Sequence, residues 1–181
     1  MKHFKILRNI AIFSSVFLVL FACNQEVPQK PKKAILSQDT IDQRMMNANK
    51  ILSSNENEQI EDFIKRYDWK MNVTGSGLRY LIYKQGKGKQ PKKNSKIKIN
   101  YRTSLLNGVT IYNSNSDGAK TFIIGKAEVE NGLEEGILLL KVGDKAKFII
   151  PSHLAFGLLG DQKKIPRKAT LVYDVELLEI D

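Results

Sequence analysis

"GLEEGILLLKVGDKAKFIIPSHLAFG", residues 132–157, changes texture twice. Leu133, Ile137 and Leu140 recur at i, i+4 and i+7, one apolar face of a short helix, with Glu134 and Glu135 near the positive end of its dipole. Gly143 stands where a helix C-cap belongs. "KAKFII" (145–150) then reads as a strand, and its run of Phe148, Ile149 and Ile150 marks it as buried. Pro151 cannot donate to a sheet ladder, so regular pairing ends there or the residue sits at an edge. A lone His153 and a Phe156-Gly157 pair follow in what reads as loop, which leaves an aromatic ring just past a strand end with no evident core to join.

The flanking sequence supplies more strand. Leu78–Tyr83 begins it; Ile97, Ile99 and Tyr101 alternate with Lys98, Asn100 and Arg102, the period of a half-buried strand. "LNG" (106–108) reads as a hairpin turn leading to Val109, Ile111 and Tyr112. "TFIIG" (121–125) and "ATLVYDVELLEI" (169–180) complete the set. Antiparallel strands with one short helix packed across them predict an α+β fold. Upstream, Ile41, Met45, Ala48 and Leu52 follow helical spacing, with Ser37 or Asp39 as the cap, and Asn55-x-x-Glu58 reads as the capping box of a second helix. That helix presents Ile60, Phe63, Ile64 and Tyr67 and ends near Trp69; Met45 and Met46 read as core filler. Such a helix pair packs on the following domain, the alternative being a dimer or partner contact through residues 39–72.

The chain has 181 residues, is 42% apolar and carries a net charge of +10, a globular composition with room for one domain and extras. Lys2, Lys5 and Arg8 open it, and residues 10–22, "IAIFSSVFLVLFA", form an uncharged apolar run shorter than the roughly 20 residues of a spanning helix. This is the pattern of a secretory signal peptide over residues 1–22. "LFAC" (20–23) resembles the lipobox of bacterial lipoproteins, with bulky Phe21 as a departure, and that resemblance implies that Cys23 is lipidated and anchors the chain in a bilayer. Cys23 is the only cysteine, so it forms no internal disulfide; its other reading is a buried thiol at the end of an anchor helix. Residues 23–38, with two prolines and three lysines, read as a tether, and 39–72 and 73–181 as a helical pre-domain and the principal domain.

Several chemistries are excluded. His153 is the only histidine after the signal, no G-x-S-x-G elbow occurs, and "GKGK" (86–89) lacks the spacing of a P-loop. Histidine and cysteine are too few for a zinc site, and adjacent Glu134 and Glu135 diverge on a helix and cannot flank one bond. The turn lysines (Lys84, Lys87, Lys89, Lys92, Lys93) lack the interleaved aromatics of a base-stacking surface, so a solvated basic face is read here and no nucleic acid. What remains is an apolar pocket, with no cofactor and no metal.

"INYRTSLLNGVTIYNSN" (99–115), the stretch 132–157 and "ATLVYDVELLEI" in that order resemble the FKBP family of peptidyl-prolyl cis-trans isomerases, from about Gly75 to Asp181. The resemblance implies a curved antiparallel sheet wrapped around one short helix, here preceded by two short helices, with an aromatic cavity that binds proline-containing polypeptides. It implies that Phe156 lines this cavity with Tyr101, Tyr112 and Asn113 as the catalytic set. Phe122, Val129, the backbone N–H of Glu130, Leu133, Ile165 and Tyr173 complete the substrate-binding wall; Phe122, Leu133 and Tyr173 also read as plain core. With the lipobox and the helical pre-domain, the chain is also similar to FKBP-type lipoproteins associated with gliding motility, which implies a bacterial envelope location, by preference the outer membrane.

Several positions depart from the family pattern. Asn113 replaces an Asp, Phe156 replaces a hydroxyl-bearing Tyr, Leu133 a Trp, and Lys120 an aromatic residue; Glu130 brings a carboxylate where an apolar side chain is common. "LLGDQKKIPRKAT" (158–170) sets Lys163, Lys164, Arg167 and Lys168 at the rim. Two readings follow: an envelope isomerase of reduced rate, or a binding module that kept the fold and lost useful turnover.

Overall fold

The structure, a computed structural model, describes residues 37–181; the signal-like segment, Cys23 and most of the tether lie outside them. By its contacts the chain divides between Asp42 and Gln43, and the architecture below belongs to residues 43–181. Helix α1, Gln38–Arg66, runs for 29 residues without a break. Ser37 caps it, its Oγ accepting the Thr40 N–H at 3.3 Å.

One helix therefore stands where the sequence predicts two. Ser53, Ser54 and Asn55 are weak helix formers because their side chains compete for backbone groups. None of them removes a donor as Pro does or frees the backbone as Gly does, so the hydrogen-bond ladder continues through them. Tertiary ties add to this at the very turn where a cap was expected. The Glu56 carboxylate accepts the Ser152 N–H at 2.6 Å, the Ser152 hydroxyl at 3.0 Å and the Thr170 hydroxyl at 2.6 Å. Met45 and Met46 are not core filler: both are exposed, as are Ile51 and Leu52, and the buried residues of α1 begin at Ile60.

Seven strands form one antiparallel sheet: β1 (Asn72–Val73), β2 (Arg79–Lys84), β3 (Lys96–Leu105), β4 (Thr110–Asn113), β5 (Lys120–Ile123), β6 (Lys145–Ile150) and β7 (Leu171–Ile180). The order is β1-β2-β6-β7-β3-β4, with β5 also on β3. β3 holds the sheet together. Its length lets β5 pair with Lys96–Ile99 and β4 with Arg102–Ser104, while β7 runs along its other edge. Burial along β3 alternates as its sequence does, with Ile97, Ile99, Tyr101 and Thr103 inward. The β3–β4 turn closes as predicted: Gly108 adopts φ +87° and its N–H donates to the Leu105 carbonyl at 2.9 Å.

Helices α2 (Ser114–Asp117) and α3 (Asn131–Leu138) complete the fold. Leu133, Ile137 and Leu140 are fully buried against the sheet. Gly132 and Gly136, one turn apart on the same face of α3, permit the approach: a Cβ on Gly136 would lie 2.8 Å from the Phe148 ring, and one on Gly132 would run into Ile150. Gly143 does not cap α3, which ends at Leu138. It lies at φ +92° in the following turn, where its N–H reaches the Leu177 carbonyl at 2.8 Å and a Cβ would press on Gly86 at 3.2 Å. The glycine is needed there by a chain crossing and not by a helix end.

The triple apolar run 148–150 is explained by coverage of both faces. Phe148 and Ile150 join the main core with α3, while Ile149 joins a second core with Ile60 and Phe63 of α1. Arg79, itself buried, fixes this second layer through Glu61 at 2.9 Å, Asn57 at 3.3 Å and the Gly77 carbonyl at 2.8 Å.

Candidate functional site

Register across the sheet places one row of the site. Tyr112 on β4 lies opposite Thr103 on β3, and Thr103 lies opposite Tyr173 on β7, so the three share a face. Tyr101 is two residues from Thr103 on that same face. Tyr101, Phe122, Leu133, Ile165 and Tyr173 are buried in one core, with Tyr112, Val129 and Phe156 half-buried against it. The residues nominated from sequence are thus gathered by β3, β4, β5, β7, α3 and the loop after β6. The ring of Phe156 packs on this core from a loop pinned by two bonds of Gly157: its N–H to the Ser152 carbonyl and its carbonyl to the Lys168 N–H, each 2.8 Å.

Glu130 occupies the N-cap position of α3 with an extended backbone, and its side chain does not cap. Among the described residues its backbone N–H has no acceptor, so a donor stands ready beside the aromatic cluster. Its carboxylate is buried; Oε1 accepts the Tyr173 hydroxyl at 2.8 Å, while Oε2 has no partner among the described residues. Burial, and then the Glu130 charge, hold the Tyr173 hydroxyl well above the ordinary tyrosine pKa. The Thr103 hydroxyl sits near enough to pull it partly back without reaching hydrogen-bond geometry. Tyr101 is raised as well, by burial and then by Asp117 and Glu130.

Two other nominated groups are committed internally. Asn113 Oδ1 caps α2, accepting the N–H groups of Asn115 at 2.9 Å and Ser116 at 3.1 Å. Only its amide N–H groups are left for a ligand. The Tyr112 hydroxyl donates to Asp161 Oδ2, while Asp161 Oδ1 accepts the N–H groups of Lys163, Lys164 and Ile165 at 2.9, 2.9 and 2.7 Å. Asp161 was not nominated from sequence. An Asp two to four residues before the donors it turns around is a local signal for the loop knot, but its reach to Tyr112, 49 residues away, has none.

This knot sets a pH dependence. The bond to Asp161 pushes Tyr112 up to about 12. For Asp161, burial works upward, but the Tyr112 hydroxyl and the three backbone donors outweigh it and hold the carboxyl below 3.8. A depressed carboxyl contributes stability above its unfolded pKa that is lost as pH falls through the folded one. Lowering the pH below about 4 is expected to destabilise the wild type more steeply than an Asp161→Asn variant. Urea midpoints from pH 5 to pH 2.5 measure this, and parallel curves would contradict it.

A groove of about 750 Å3 lies between α1 and the loop after β6, lined by Leu52, Glu56, Leu106, Leu158 and Lys168 among others. None of the nominated residues lines it. Among the described residues no helix is long and apolar enough to cross a membrane.

An antiparallel sheet with one short helix packed against it, and aromatic side chains gathered beside that helix, defines a class of small α+β domains. The FKBP-type peptidyl-prolyl cis-trans isomerase family model matches residues 87–178, half of the chain, and the chain belongs to that family. It is 42% identical over 126 residues to a probable FKBP-type peptidyl-prolyl cis-trans isomerase FkpA of Neisseria meningitidis, covering 68% of this chain and 46% of that protein. To FkpA of Buchnera aphidicola from Acyrthosiphon pisum it is 34% identical over 146 residues, 77% of this chain and 60% of that protein. Among solved structures, the crystal structure of FkpA from Escherichia coli superposes with a TM-score of 0.63 at 31% identity over 81% of this chain and 74% of that one. AtFKBP13 superposes with a TM-score of 0.58 at 31% identity over 62% and 99%. The chain spans about half the length of the curated relatives it matches.

Proposed function

We propose that this chain is a peptidyl-prolyl cis-trans isomerase acting on X–Pro bonds of exported or envelope polypeptides, with Tyr101, Tyr112, Phe122, Val129, Leu133, Phe156, Ile165 and Tyr173 as the walls of its proline site. The observation that carries it is the backbone N–H of Glu130, without an acceptor among the described residues, beside a cluster of apolar and aromatic side chains. An X–Pro bond resists rotation through amide resonance, and uncatalysed isomerisation takes tens of seconds or more. The twisted transition state has lost that resonance and is less polar than the planar amide. An apolar site that strips water from the carbonyl favours the twist, and a fixed N–H holds the neighbouring chain while it occurs. A 10⁴-fold acceleration requires about 5.5 kcal/mol, within reach of burial and one or two hydrogen bonds, with no titrating group.

The test uses the full chain in detergent and a Leu-Pro peptide followed by exchange NMR. Saturable acceleration is expected, and Phe156→Ala or Tyr112→Ala in folded protein should lower kcat/KM by tenfold or more, about 1.4 kcal/mol of transition-state stabilisation. A rate equal to buffer would overturn the reading and favour the second one, a binding module in an envelope assembly. The internal use of the Tyr112 hydroxyl and of Asn113 Oδ1 is what favours that alternative.

Cys23, following the Leu20-Phe21-Ala22 run, is read as the lipid attachment point that holds the domain at a bacterial envelope membrane, with the outer membrane preferred. Cys23→Ser should release the protein from the membrane fraction and abolish labelling by a palmitate analogue. The order of lipobox, helix and isomerase module is what aligns the chain with gliding-motility lipoproteins.

A further inference from the structure

Two lysines sit directly on the walls of the proline site. Lys120 Nζ lies 5.1 Å from the centroid of the Tyr101 ring, and Lys164 Nζ lies 5.1 Å from that of Tyr112. They arrive from different elements, Lys120 from the start of β5 and Lys164 from the 158–170 loop. Neither belongs to any ion pair among the described residues.

The nearby carboxylates are already engaged. Asp161 accepts four donors, Tyr112 and three backbone N–H groups. Asp117 accepts the Asn113 N–H at 3.0 Å and the Ser116 hydroxyl at 3.1 Å. Glu130 accepts the Tyr173 hydroxyl. Each ammonium therefore has an aromatic face on one side and, among the described residues, no carboxylate oxygen within 4.0 Å. An ammonium over a ring is attracted to it electrostatically while its remaining N–H groups still need acceptors.

We propose that Lys120 and Lys164 are specificity-determining residues, and that the preferred substrates carry a carboxylate side chain immediately next to the proline. With the proline ring against Tyr101 and Tyr112, a neighbouring Glu or Asp side chain lies within reach of an ammonium already held on the wall, so little side-chain freedom is lost when the contact forms. Lys163 and Arg167, in the same 158–170 loop, are exposed and add attraction of the same sign during approach. A carboxylate is the occupant this arrangement favours; a lysine beside the proline meets like charge on both walls.

This inference rests on the isomerase reading, and the experiment separates the two. The full chain in detergent is assayed with four otherwise identical peptides: Leu-Pro, Glu-Pro, Lys-Pro, and one with Glu directly after the proline. Equilibrium binding of the same four is measured by NMR titration. Activity on Leu-Pro tests the isomerase reading. The ratio of acidic to neutral and basic peptides, in kcat/KM and in Kd, tests this one even where no turnover occurs. The expected order is acidic above Leu-Pro above Lys-Pro, with about five- to tenfold between acidic and neutral at low salt, shrinking as ionic strength rises to 0.5 M.

Lys120→Gln with Lys164→Gln should bring the ratio close to one. Lys141→Gln with Lys87→Gln, both exposed and neither on a wall of the site, lowers net charge equally and should leave the ratio as it was. Equal use of all four peptides by the wild type would overturn the proposal. So would a preference that survives substitution of Lys120 and Lys164, or one that falls as far with Lys87→Gln and Lys141→Gln together, which would assign it to net charge alone.

Discussion

Phe63→Ala is expected to lower folding stability by about 3–5 kcal/mol, the usual cost of removing a buried aromatic side chain. Phe63 is 5% exposed and packs with Ile60 and Ile149 in the outer core. It also stands at the centre of an aromatic group, 4.7 Å from the Tyr67 ring centroid and 5.5 Å from that of Trp69 in an edge contact. The residue precedes the first strand, yet it seals the face of the sheet opposite α3. Urea unfolding of the full chain measures the loss. Met45→Ala, on the exposed part of the same helix, should change stability by no more than about 0.5 kcal/mol. If the two variants proved equally mild, α1 would be an appendage and not a packed layer of the domain.

The second large effect lies at the Glu130–Tyr173 pair. Tyr173→Phe removes the one side-chain donor that a buried carboxylate has among the described residues, and should cost about 1.5–3 kcal/mol. Glu130→Leu alone strands the Tyr173 hydroxyl, at a cost of about 1–3 kcal/mol. The double variant is expected to be near wild-type stability or above it, because an apolar pair of similar shape carries no desolvated charge. A double-mutant cycle reads this as strong coupling; simple additivity of the two losses would show that the pair is not what holds the carboxylate in place. The backbone N–H of residue 130 is untouched by either change, so catalysis in the double variant should persist if that N–H, and not the side chain, serves the substrate.

Much of this architecture could be read where local spacing carries the information. The alternation of Ile97, Ile99 and Tyr101, the helical face of Leu133, Ile137 and Leu140, and the Leu106-Asn107-Gly108 turn each follow from a period or a backbone preference within a few residues. The place of Phe156 rests on family likeness and on no local pattern; in the fold its ring packs on the core. The misreadings share a cause. Asn55 and Gly143 each carry a helix-end signature, but distant partners decide their use: Ser152 and Thr170 tie down the turn beside Asn55, and Gly86 crowds Gly143. The bond from Tyr112 to Asp161 and the lysines over Tyr101 and Tyr112 are pairings of residues remote in sequence, with no local pattern to announce them.

The two glycines of α3 have a consequence for how this site can change. Because Gly132 and Gly136 bring the helix backbone against Ile150 and Phe148, the depth of Leu133 beneath the proposed proline site is set by main-chain contact. Side-chain repacking has little room to raise or lower it. The half-buried Tyr112, Val129 and Phe156 sit on a strand end and on loops. With Leu133 as the floor of that proposed site, variation in ligand size is expected to be absorbed laterally, by hairpin and loop. Inhibitor series that grow sideways should find tolerance in this domain, and series that grow downward should meet a hard stop.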